Sequence, residues 1–505
     1  METVIEGRWK GRGGARLFVA PEGLTLVDHA GAVVGAVAYP EVAGVSAGRR
    51  GRGSLLRLEL QSREQWVLEG LHPLQARFAS ELVQEQLVAL QRRQMPLYAQ
   101  ALPLPQLVEA ARSILSGSQR GVIELLDFLL AQAAHHGASD LHLEPFPASV
   151  RVRFRRDGVL LDVLEIPALW LPRLLARLKI LAGLAIYRSD VPQEGRMPLR
   201  LPDRTVDLRV TLLPTLHGEK AVLRLFDPAR ALLRLDQLGM APELQERWQQ
   251  LLQQPQGMLL LTGPSNHGKT TTQYASLSFL HEHRRDLSNL CTVEDPVEYD
   301  LRVVNQTQVN DAVGLTFAAG LRTVLRQDPE VIMIGEIRDE ETAGIAIRAG
   351  LTGHLILSTV HARSSPGVFP RLLDLGCEPH LVAGAVSAVL AQRLVRTICG
   401  ECRAPAEATA RQQERLGLGA EPREWSRGAG CGACGGTGYR GRTGLFDLLE
   451  VDEKMRDAVL RGRSVDELEA LAGGDGLRAD GVAKAAAGIT SLDELERVLG
   501  SRPWR

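Results

Sequence analysis

Residues 263–270 have the Gly-x-x-x-x-Gly-Lys-Thr spacing that is typical of a phosphate-binding loop. The apolar run 257–262 before them predicts a buried strand, and residues 271–283 after them predict a helix. In that setting glycine residues let backbone N–H groups close around phosphate oxygens, and the helix dipole adds positive charge. We expect Lys269 to reach the β- and γ-phosphates and the Thr270 hydroxyl to hold Mg²⁺. The sequence therefore predicts that a nucleoside triphosphate binds to Gly263, Pro264, Ser265, Asn266, His267, Gly268, Lys269, Thr270 and Thr271.

Acidic residues follow two predicted buried strands downstream of the loop. Residues 290–293 predict one strand, which Glu294 and two further acids follow. Residues 331–334 predict the second, which leads to Glu336 in a Walker B arrangement. The carboxyl ends of parallel strands form the ligand-binding edge of an α/β sheet. Because carboxylates there hold Mg²⁺ water or orient the attacking water, we predict that Glu294 and Glu336 are catalytic together with Lys269.

Histidine residues in two predicted strands are further candidates for chemistry. His361 ends the apolar run 355–360 and is a candidate sensor of the γ-phosphate, although a lone histidine is more often structural. His142 alternates with Asp140 and Glu144 along another predicted strand, a pattern that is able to bind a metal ion. Polar side chains on the solvent face of a strand are far more common, so we expect this second set to face water.

Four of the six cysteine residues form two C-x-x-C pairs, namely Cys399, Cys402, Cys431 and Cys434. Four thiolates suit tetrahedral Zn²⁺ and leave no open coordination position, so we predict a structural zinc site. The gap between the pairs is longer than that of a usual zinc ribbon, but metal-binding loops tolerate insertions. Two redox pairs or free thiols are the alternatives.

Length and composition restrict the class of protein. The chain has 505 residues, of which 45% are hydrophobic and 24% charged, with a formal net charge of -1. These values predict several globular domains and give no overall basic field that would attract nucleic acid. No apolar run approaches the roughly 20 residues of a membrane span, and the N-terminus lacks the pattern of a signal peptide. We therefore expect a cytoplasmic protein without a nucleic-acid partner, which contacts the membrane only through partners.

The elements that must position these residues fall into six predicted segments. Short alternating runs separated by Gly, Pro and Asp predict strands in residues 1–70, and apolar spacing by three and four predicts a helix over 72–94. A pleckstrin-homology-like fold is one candidate for this region. The segments are a β-rich domain with its closing helix (1–95), a linker (96–118), an α+β domain (119–230), an α/β nucleotide domain (231–395), a tetracysteine subdomain (396–445) and a helical end of the nucleotide domain (446–505).

The motifs together resemble those of the secretion ATPases of the GspE/PulE/PilB type, which power type II secretion and type IV pilus extension. The Walker A, Asp-box, Walker B and His-box motifs of that family are similar to residues 263–270, 292–299, 325–339 and 352–361. The second N-terminal domain of that family is similar to residues 138–145, 192–196 and 206–209. The resemblance implies a RecA-like P-loop NTPase core that follows an α+β domain and carries a tetracysteine zinc insert.

The same resemblance implies an ATP-hydrolysing homo-hexamer on the cytoplasmic face of the inner membrane. Its partners there would be a membrane platform protein and a membrane recruiter of the ATPase. By motif position, Arg196 and Arg209 of the α+β domain would be catalytic, and Arg322 and Arg326 would contact the nucleotide. An arginine at the γ-phosphate offsets the charge that develops during transfer. Since Arg196 and Arg209 belong to another domain, ATP would draw two bodies together and hydrolysis would release them; ordinary ion pairing is their alternative role.

Two departures from the family pattern bear on turnover. His267 stands where the family has a small residue, and we expect its imidazole to point outward, where its charge below about pH 6.5 would attract phosphate. Residues 362–365 differ from the sequence that usually follows the His-box histidine, which affects His-box signalling. Since the loop lysine and both candidate carboxylates are present, we expect an active ATPase. The alternatives are a RecA-like nucleic-acid translocase and an assembly subunit that binds ATP with little turnover.

Overall fold

A computed structural model of the chain describes residues 3–9, 14–19, 23–30, 32–50, 53–80, 83, 100–117, 121–227, 233–284, 289–418, 424–474 and 476–500. The chain divides into two compact units. The first consists of residues 1–102, 109–136 and 198–205, and the second of residues 103–108, 137–197 and 206–505. All the motifs with predicted chemistry belong to the second unit.

An antiparallel sheet forms most of the first unit. Its strands are β1 (Thr3–Trp9), β2 (Gly14–Val19), β3 (Gly23–Asp28), β4 (Val33–Ala38), β5 (Val42–Arg50), β6 (Gly53–Leu60) and β7 (Gln65–Leu71), in the order β4-β3-β2-β1-β7-β6-β5. Leu17, Leu56 and Leu68 are fully buried in a core that includes Ala76 of the helical residues 73–80. The structure confirms the predicted strands; most of the predicted helix after residue 80 lies outside the described residues, and a pleckstrin-homology-like fold stays a prediction.

A second sheet carries the predicted hairpin of the α+β region. Its strands are β8 (Asp140–Pro145), β9 (Ser149–Arg156), β10 (Val159–Pro167), β11 (Gln193–Arg200), β12 (Thr205–Thr215) and β13 (Gly218–Phe226), in the order β10-β9-β8-β13-β12-β11. The helices of this stretch of the chain are α1 (Leu104–Gly117), α2 (Gly121–His135) and α3 (Leu171–Leu181). The β9–β10 hairpin turns at Asp157 and Gly158, which both have positive φ. A two-residue Asp-Gly hairpin turn requires that backbone conformation.

The remaining strands build the nucleotide domain and its insert. They are β14 (Gly257–Thr262), β15 (Leu290–Glu294), β16 (Asn305–Gln308), β17 (Val331–Ile334), β18 (Leu355–Thr359), β19 (Val386–Ile398), β20 (Arg403–Ala406), β21 (Trp425–Gly428) and β22 (Tyr439–Glu450). The main sheet has the order β16-β15-β17-β18-β14-β19-β22, in which β22 alone is antiparallel to its neighbour. Alternate residues of β14 belong to two different cores, Met258 and Leu260 to one and Leu259 and Leu261 to the other. The sheet is therefore buried on both faces, which confirms the predicted α/β fold.

The second unit also contains the helices of the nucleotide domain and its insert. They are α4 (Pro242–Leu252), α5 (Lys269–His283), α6 (Phe317–Val324), α7 (Glu340–Leu351), α8 (Val368–Asp374), α9 (Pro379–Ala385), α10 (Ala410–Leu416), α11 (Glu453–Leu460), α12 (Val465–Leu471), α13 (Gly476–Ala486) and α14 (Leu492–Leu499). Strands β19 and β22 pair from Ala388 and Glu450 to Ile398 and Tyr439. This pairing runs across the segment boundaries predicted near residues 395 and 445, so the tetracysteine stretch is an insertion at the end of a sheet hairpin. Among the described helices, none has the length and apolar character that a membrane span requires.

Candidate active site

The phosphate loop connects the end of β14 to the start of α5, as predicted. Gly263 and Gly268 have φ values of 151° and 82°. A Cβ on Gly263 would lie 2.5 Å from the carbonyl oxygen of Gln392, so only glycine fits there. The buried Lys269 ammonium donates to the carbonyl oxygens of Gly263 (2.8 Å) and Pro264 (2.9 Å). The loop is thus folded around its own lysine at a helix N-terminus, which is a preformed site for an anion.

The other predicted loop residues differ in exposure. Pro264, Ser265 and Asn266 are exposed, and Thr270 and Thr271 are half-buried in the first turn of α5. At that position the Thr270 hydroxyl is beside the lysine that would hold the phosphates. The Mg²⁺ role of Thr270 stays a prediction.

His267 points into the protein, contrary to the prediction that its imidazole faces outward. Its Nδ1 accepts a hydrogen bond from the Leu394 N–H (2.8 Å), and its carbonyl oxygen accepts one from the Gln392 amide (2.7 Å). Burial, helped by the positive charges of Arg393 and Lys269, lowers the pKa of His267 to about 4. The prediction that His267 carries a positive charge below about pH 6.5 is therefore wrong. Its imidazole must be neutral at Nδ1 to accept the hydrogen bond from the Leu394 N–H of β19.

Glu336 lies just after β17 with basic groups around it. Arg338 donates to its Oε1, and the His361 Nε2 is 3.4 Å from its Oε2. Arg338 is also 3.8 Å from Asp295. Burial lowers the pKa of Lys269, and the negative charge of Glu336 opposes that shift. The structure therefore brings the predicted residues Lys269, Glu336 and His361 together, whereas sequence reasoning missed Arg338, although it stands two residues after Glu336.

Glu294 ends the neighbouring strand β15, but its carboxylate faces the interior. The residue is 2% exposed. The Tyr274 hydroxyl donates to its Oε2, and the Thr292 hydroxyl (2.5 Å) and the Gln306 amide (2.9 Å) donate to its Oε1. Burial and the adjacent carboxylate raise the pKa of Tyr274. Buried donors occupy both oxygens of Glu294, so its catalytic role stays a prediction that this environment does not favour.

The charges of Arg196 and Arg209 in the α+β sheet act on Glu298, in the acidic segment after β15. A hydrogen bond to Glu194 raises the pKa of Arg209, and the charge of Glu298 adds to the effect. Burial raises the pKa of the Glu298 carboxyl, while Arg224, Arg209 and Arg196 act in the opposite direction. The arginine charges of the α+β sheet therefore favour the ionised form of Glu298. Their catalytic role stays a prediction.

Arg322 and Arg326 lie on and just after α6. Arg322 binds Glu341 of α7, and the two side chains are 52% and 57% exposed. Arg326 is exposed. Within the part of the chain that the structure describes, neither guanidinium group hydrogen-bonds to the phosphate loop, so their contact with the nucleotide stays a prediction.

The four cysteine thiols of the insert converge at the end of the β19–β22 hairpin. Their sulfur atoms all lie within 4.8 Å of one another, and three of the separations are 3.9, 3.9 and 3.7 Å. Four sulfur atoms placed tetrahedrally around Zn²⁺ at about 2.3 Å are about 3.8 Å apart. Backbone N–H groups also donate to the sulfur atoms of Cys402 and Cys434, which favours thiolates. The donor set and its geometry fit a structural zinc ion.

The β8 face that we expected to face water is buried instead. Asp140 is 4% and His142 8% exposed, and burial lowers the pKa of His142. Strands β9 and β13 on either side supply cations to Asp140 and Glu144, namely Arg153, Arg155, Lys220 and Arg224. The expectation was wrong because alternation along one strand does not show what its neighbours place beside it. Among the described residues, the cysteine cluster is the one group of His, Cys, Asp and Glu compact enough for a metal ion.

Comparisons with known proteins agree on one group. Residues 116–497 match the family model described as type II/IV secretion system protein. The chain is 46% identical over 380 residues to type II secretion system protein E of Pseudomonas aeruginosa, which covers 75% of each chain. It is 42% identical over 385 residues to the type IV pilus assembly ATPase TfpB of Acinetobacter baylyi, covering 75% of this chain and 65% of that one. The X-ray structure of the Legionella pneumophila ATPase DotB is similar with a TM-score of 0.55 at 20% identity, over 74% of this chain and 95% of that one, which shows a shared fold.

Proposed function

The chain belongs to the type II/IV secretion system protein family, and we propose that it is the cytoplasmic ATPase motor that drives pseudopilus or type IV pilus assembly. As a member of this family it is an ATPase. One observation carries the mechanism, namely that the Lys269 loop and Glu336 meet on one edge of the sheet. Lysine and the helix N-terminus hold the phosphates, and Glu336 orients the attacking water. His361, 3.4 Å from Glu336, senses whether the terminal phosphate is present.

Two metal ions complete the proposed site. The Thr270 hydroxyl holds Mg²⁺ together with the phosphates of ATP. The four cysteine thiolates would hold a structural Zn²⁺, which would contribute folding energy to the insert. The reaction itself needs only the groups around the phosphate loop.

Domain movement converts hydrolysis into work in this proposal. Arg196 and Arg209 approach the γ-phosphate when ATP binds, because that is where negative charge develops during transfer. Loss of the terminal phosphate removes the attraction and lets the α+β domain separate from the loop. The charges of Arg196, Arg209 and Arg224 already act on Glu298 of the nucleotide domain. This supports a movement of the α+β domain over a short distance.

We further propose a homo-hexamer that docks on an inner-membrane platform protein and a membrane recruiter, without nucleic acid. The α+β domain has strongly exposed apolar side chains, with Leu169 at 70%, Tyr187 at 89% and Leu216 at 92% exposure. Exposed apolar surface of this kind is typical of a protein interface. The exposed Arg322 and Arg326 would then reach the nucleotide of a neighbouring copy.

ATP turnover of the wild type beside Glu336→Gln tests the motor. We expect phosphate release to fall about 100-fold or more, with nucleotide binding retained, because the variant keeps the loop and loses the group that orients water. A subunit that only binds ATP would show no difference between the two proteins. Stimulation by single-stranded nucleic acid would instead favour a translocase.

A further inference from the structure

The tip of the β9–β10 hairpin contacts the tetracysteine insert of the same chain. We call Arg156, Asp157 and Gly158 the hairpin tip, and residues 399–402 with 431–442 the knuckle. The Arg156 guanidinium donates to the carbonyl oxygen of Cys434. The Asp157 Oδ2 accepts a hydrogen bond from the Gly441 N–H at 3.1 Å, and its Oδ1 is 3.9 Å from the Arg442 Nε. Two side chains of the α+β sheet thus bind three groups of the knuckle.

The geometry of the hairpin tip suits this contact. The side chains of Arg156 and Asp157 are 12% and 20% exposed, so both are largely covered although they stand at the end of a hairpin. Asp157 has a φ of 50°, which the two-residue turn requires. The covered carboxylate accepts its hydrogen bond from the Gly441 N–H, and the guanidinium groups of Arg156 and Arg442, at 4.0 Å and 3.9 Å, add ion pairs.

The knuckle is directly continuous with the phosphate site. Leu394 of β19 bonds to His267 of the loop, and β19 runs on to Cys399 of the knuckle, about 17 Å further along an extended strand. The hairpin tip in turn belongs to the sheet that carries Arg196 and Arg209. The contact therefore joins the two bodies that ATP would draw together, but at a point away from the nucleotide.

We propose that the knuckle is a docking surface for the hairpin tip, and that this latch is a fixed contact about which the arginine-bearing sheet approaches and leaves the phosphate loop. Domains of one chain move relative to one another unless contacts between them restrain the movement. The covered contact of the hairpin tip with the knuckle supplies such a restraint. A zinc ion held by the four thiolates would fix the backbone around Cys434, whose carbonyl oxygen accepts from Arg156. The inference rests on the proposed motor. The latch explains what keeps the arginine-bearing sheet aligned with the nucleotide domain from one hydrolysis event to the next.

Two variants of the full-length, zinc-loaded chain test the latch. Asp157→Gly removes the carboxylate and keeps a residue that accepts positive φ, so the turn is preserved. Arg156→Ala removes the bond to Cys434. Arg151→Ala is the matched control, because Arg151 is on the same strand but pairs with Glu165 of β10.

The measured quantity is the distance distribution between spin labels at positions 216 and 471, introduced as unnatural amino acids so that the native cysteine residues stay unlabelled. Leu216 and Leu471 are 92% and 51% exposed and lie on the two bodies. Without nucleotide we expect a narrow distribution for the wild type and Arg151→Ala, and one about twofold broader for both tip variants at unchanged zinc content. An unchanged distribution in either tip variant overturns the latch. This readout does not depend on turnover, so a wild type that fails to hydrolyse ATP would refute the motor and leave the latch standing.

Discussion

Glu294 and Glu336 end neighbouring strands of one sheet, yet their carboxylates have opposite environments. Glu294 is 2% exposed and its oxygens accept bonds from Tyr274, Thr292 and Gln306. The Glu336 side chain is 18% exposed and its neighbours are Arg338 and His361, both about half exposed. The same pattern, an apolar strand followed by an acid, has therefore produced one carboxylate that is fully bonded and one that is open to a ligand.

Strand register explains the difference. Val293 of β15 pairs with Ile334 of β17, so Glu294 is level with Gly335 and Glu336 lies one residue further on. Successive side chains of a strand point to opposite faces, so a shift of one residue changes what a side chain meets. Glu294 meets the buried face of α5, whereas Glu336 meets the edge beside the phosphate loop. Position at a strand end is therefore a weaker guide to catalysis than register.

The largest expected effect is a difference in the rate of ATP hydrolysis between variants of Glu336 and of Glu294. Glu336→Gln should lower kcat about 100-fold or more, because the group that orients water is lost. Glu294→Gln should change kcat by less than about threefold, since its carboxylate is not needed at the phosphates. Steady-state phosphate release at saturating ATP measures both. A decrease in kcat of similar size in Glu294→Gln would mean that Glu294 is a catalytic residue after all.

Stability should show the reverse order. In Glu294→Gln one carboxylate oxygen becomes an NH₂ group, which cannot accept from the buried donors, and we expect a cost of about 1–3 kcal/mol in the free energy of unfolding. Glu336→Gln should cost less, because its partners Arg338 and His361 are about half exposed and can bond to water instead. Urea denaturation monitored by circular dichroism checks this, with the exposed Glu243→Gln as control. Equal stability of the Glu294 and Glu243 variants would contradict the buried network.

Much of the nucleotide domain was predictable from sequence for a physical reason. Strands such as β14, β17 and β18 are buried on both faces, so their sequences are continuous apolar runs with clear ends. The loop motif adds its own glycine positions, and the predicted strand 257–262 is confirmed. The tetracysteine spacing likewise indicated a compact cluster before its geometry was known.

The rest depended on partners far away in the chain. His267 faces inward because of β19, which is more than one hundred residues later, and Glu294 is buried because Gln306 and Tyr274 reach it. The face of β8 holds ion pairs that only the order of its sheet reveals. Local patterns fix which side chains share a face, whereas tertiary neighbours decide whether that face is covered.

His267 lies in the phosphate loop, but like Glu294 it accepts a hydrogen bond inside the protein. It therefore tests whether burial or proximity to the nucleotide decides the protonation of a side chain. His267→Ala leaves the Leu394 N–H without its acceptor, and we expect a cost of about 1–3 kcal/mol in the free energy of unfolding above pH 7. The pKa of His267 is lowered to about 4 in the folded chain. As the pH falls below about 6.5, the unfolded chain takes up a proton that the folded chain does not, so this contribution is progressively lost.

Urea denaturation of both proteins at about pH 7.5 and about pH 5 checks this sign, because the difference between wild type and His267→Ala should shrink at the lower pH. The exposed His281→Ala, in the last turn of the helix that follows the loop, is the control and should show no such change. A difference that stays constant or grows as the pH falls would mean that the imidazole is protonated in the folded loop.

The smallest expected effect is that of Tyr274→Phe, which removes one hydroxyl from the Glu294 network. The ring contact with Tyr299, at 6.4 Å and 75°, is kept, so the cost should be about 0.5–1.5 kcal/mol in the free energy of unfolding. Combined with Glu294→Gln, the two losses should be less than additive, because both variants change the same bonded pair. Strictly additive losses would mean that the hydroxyl and the carboxylate do not hold one another. Glu294 would then be free to turn toward the phosphates, and register alone would no longer separate the two carboxylates.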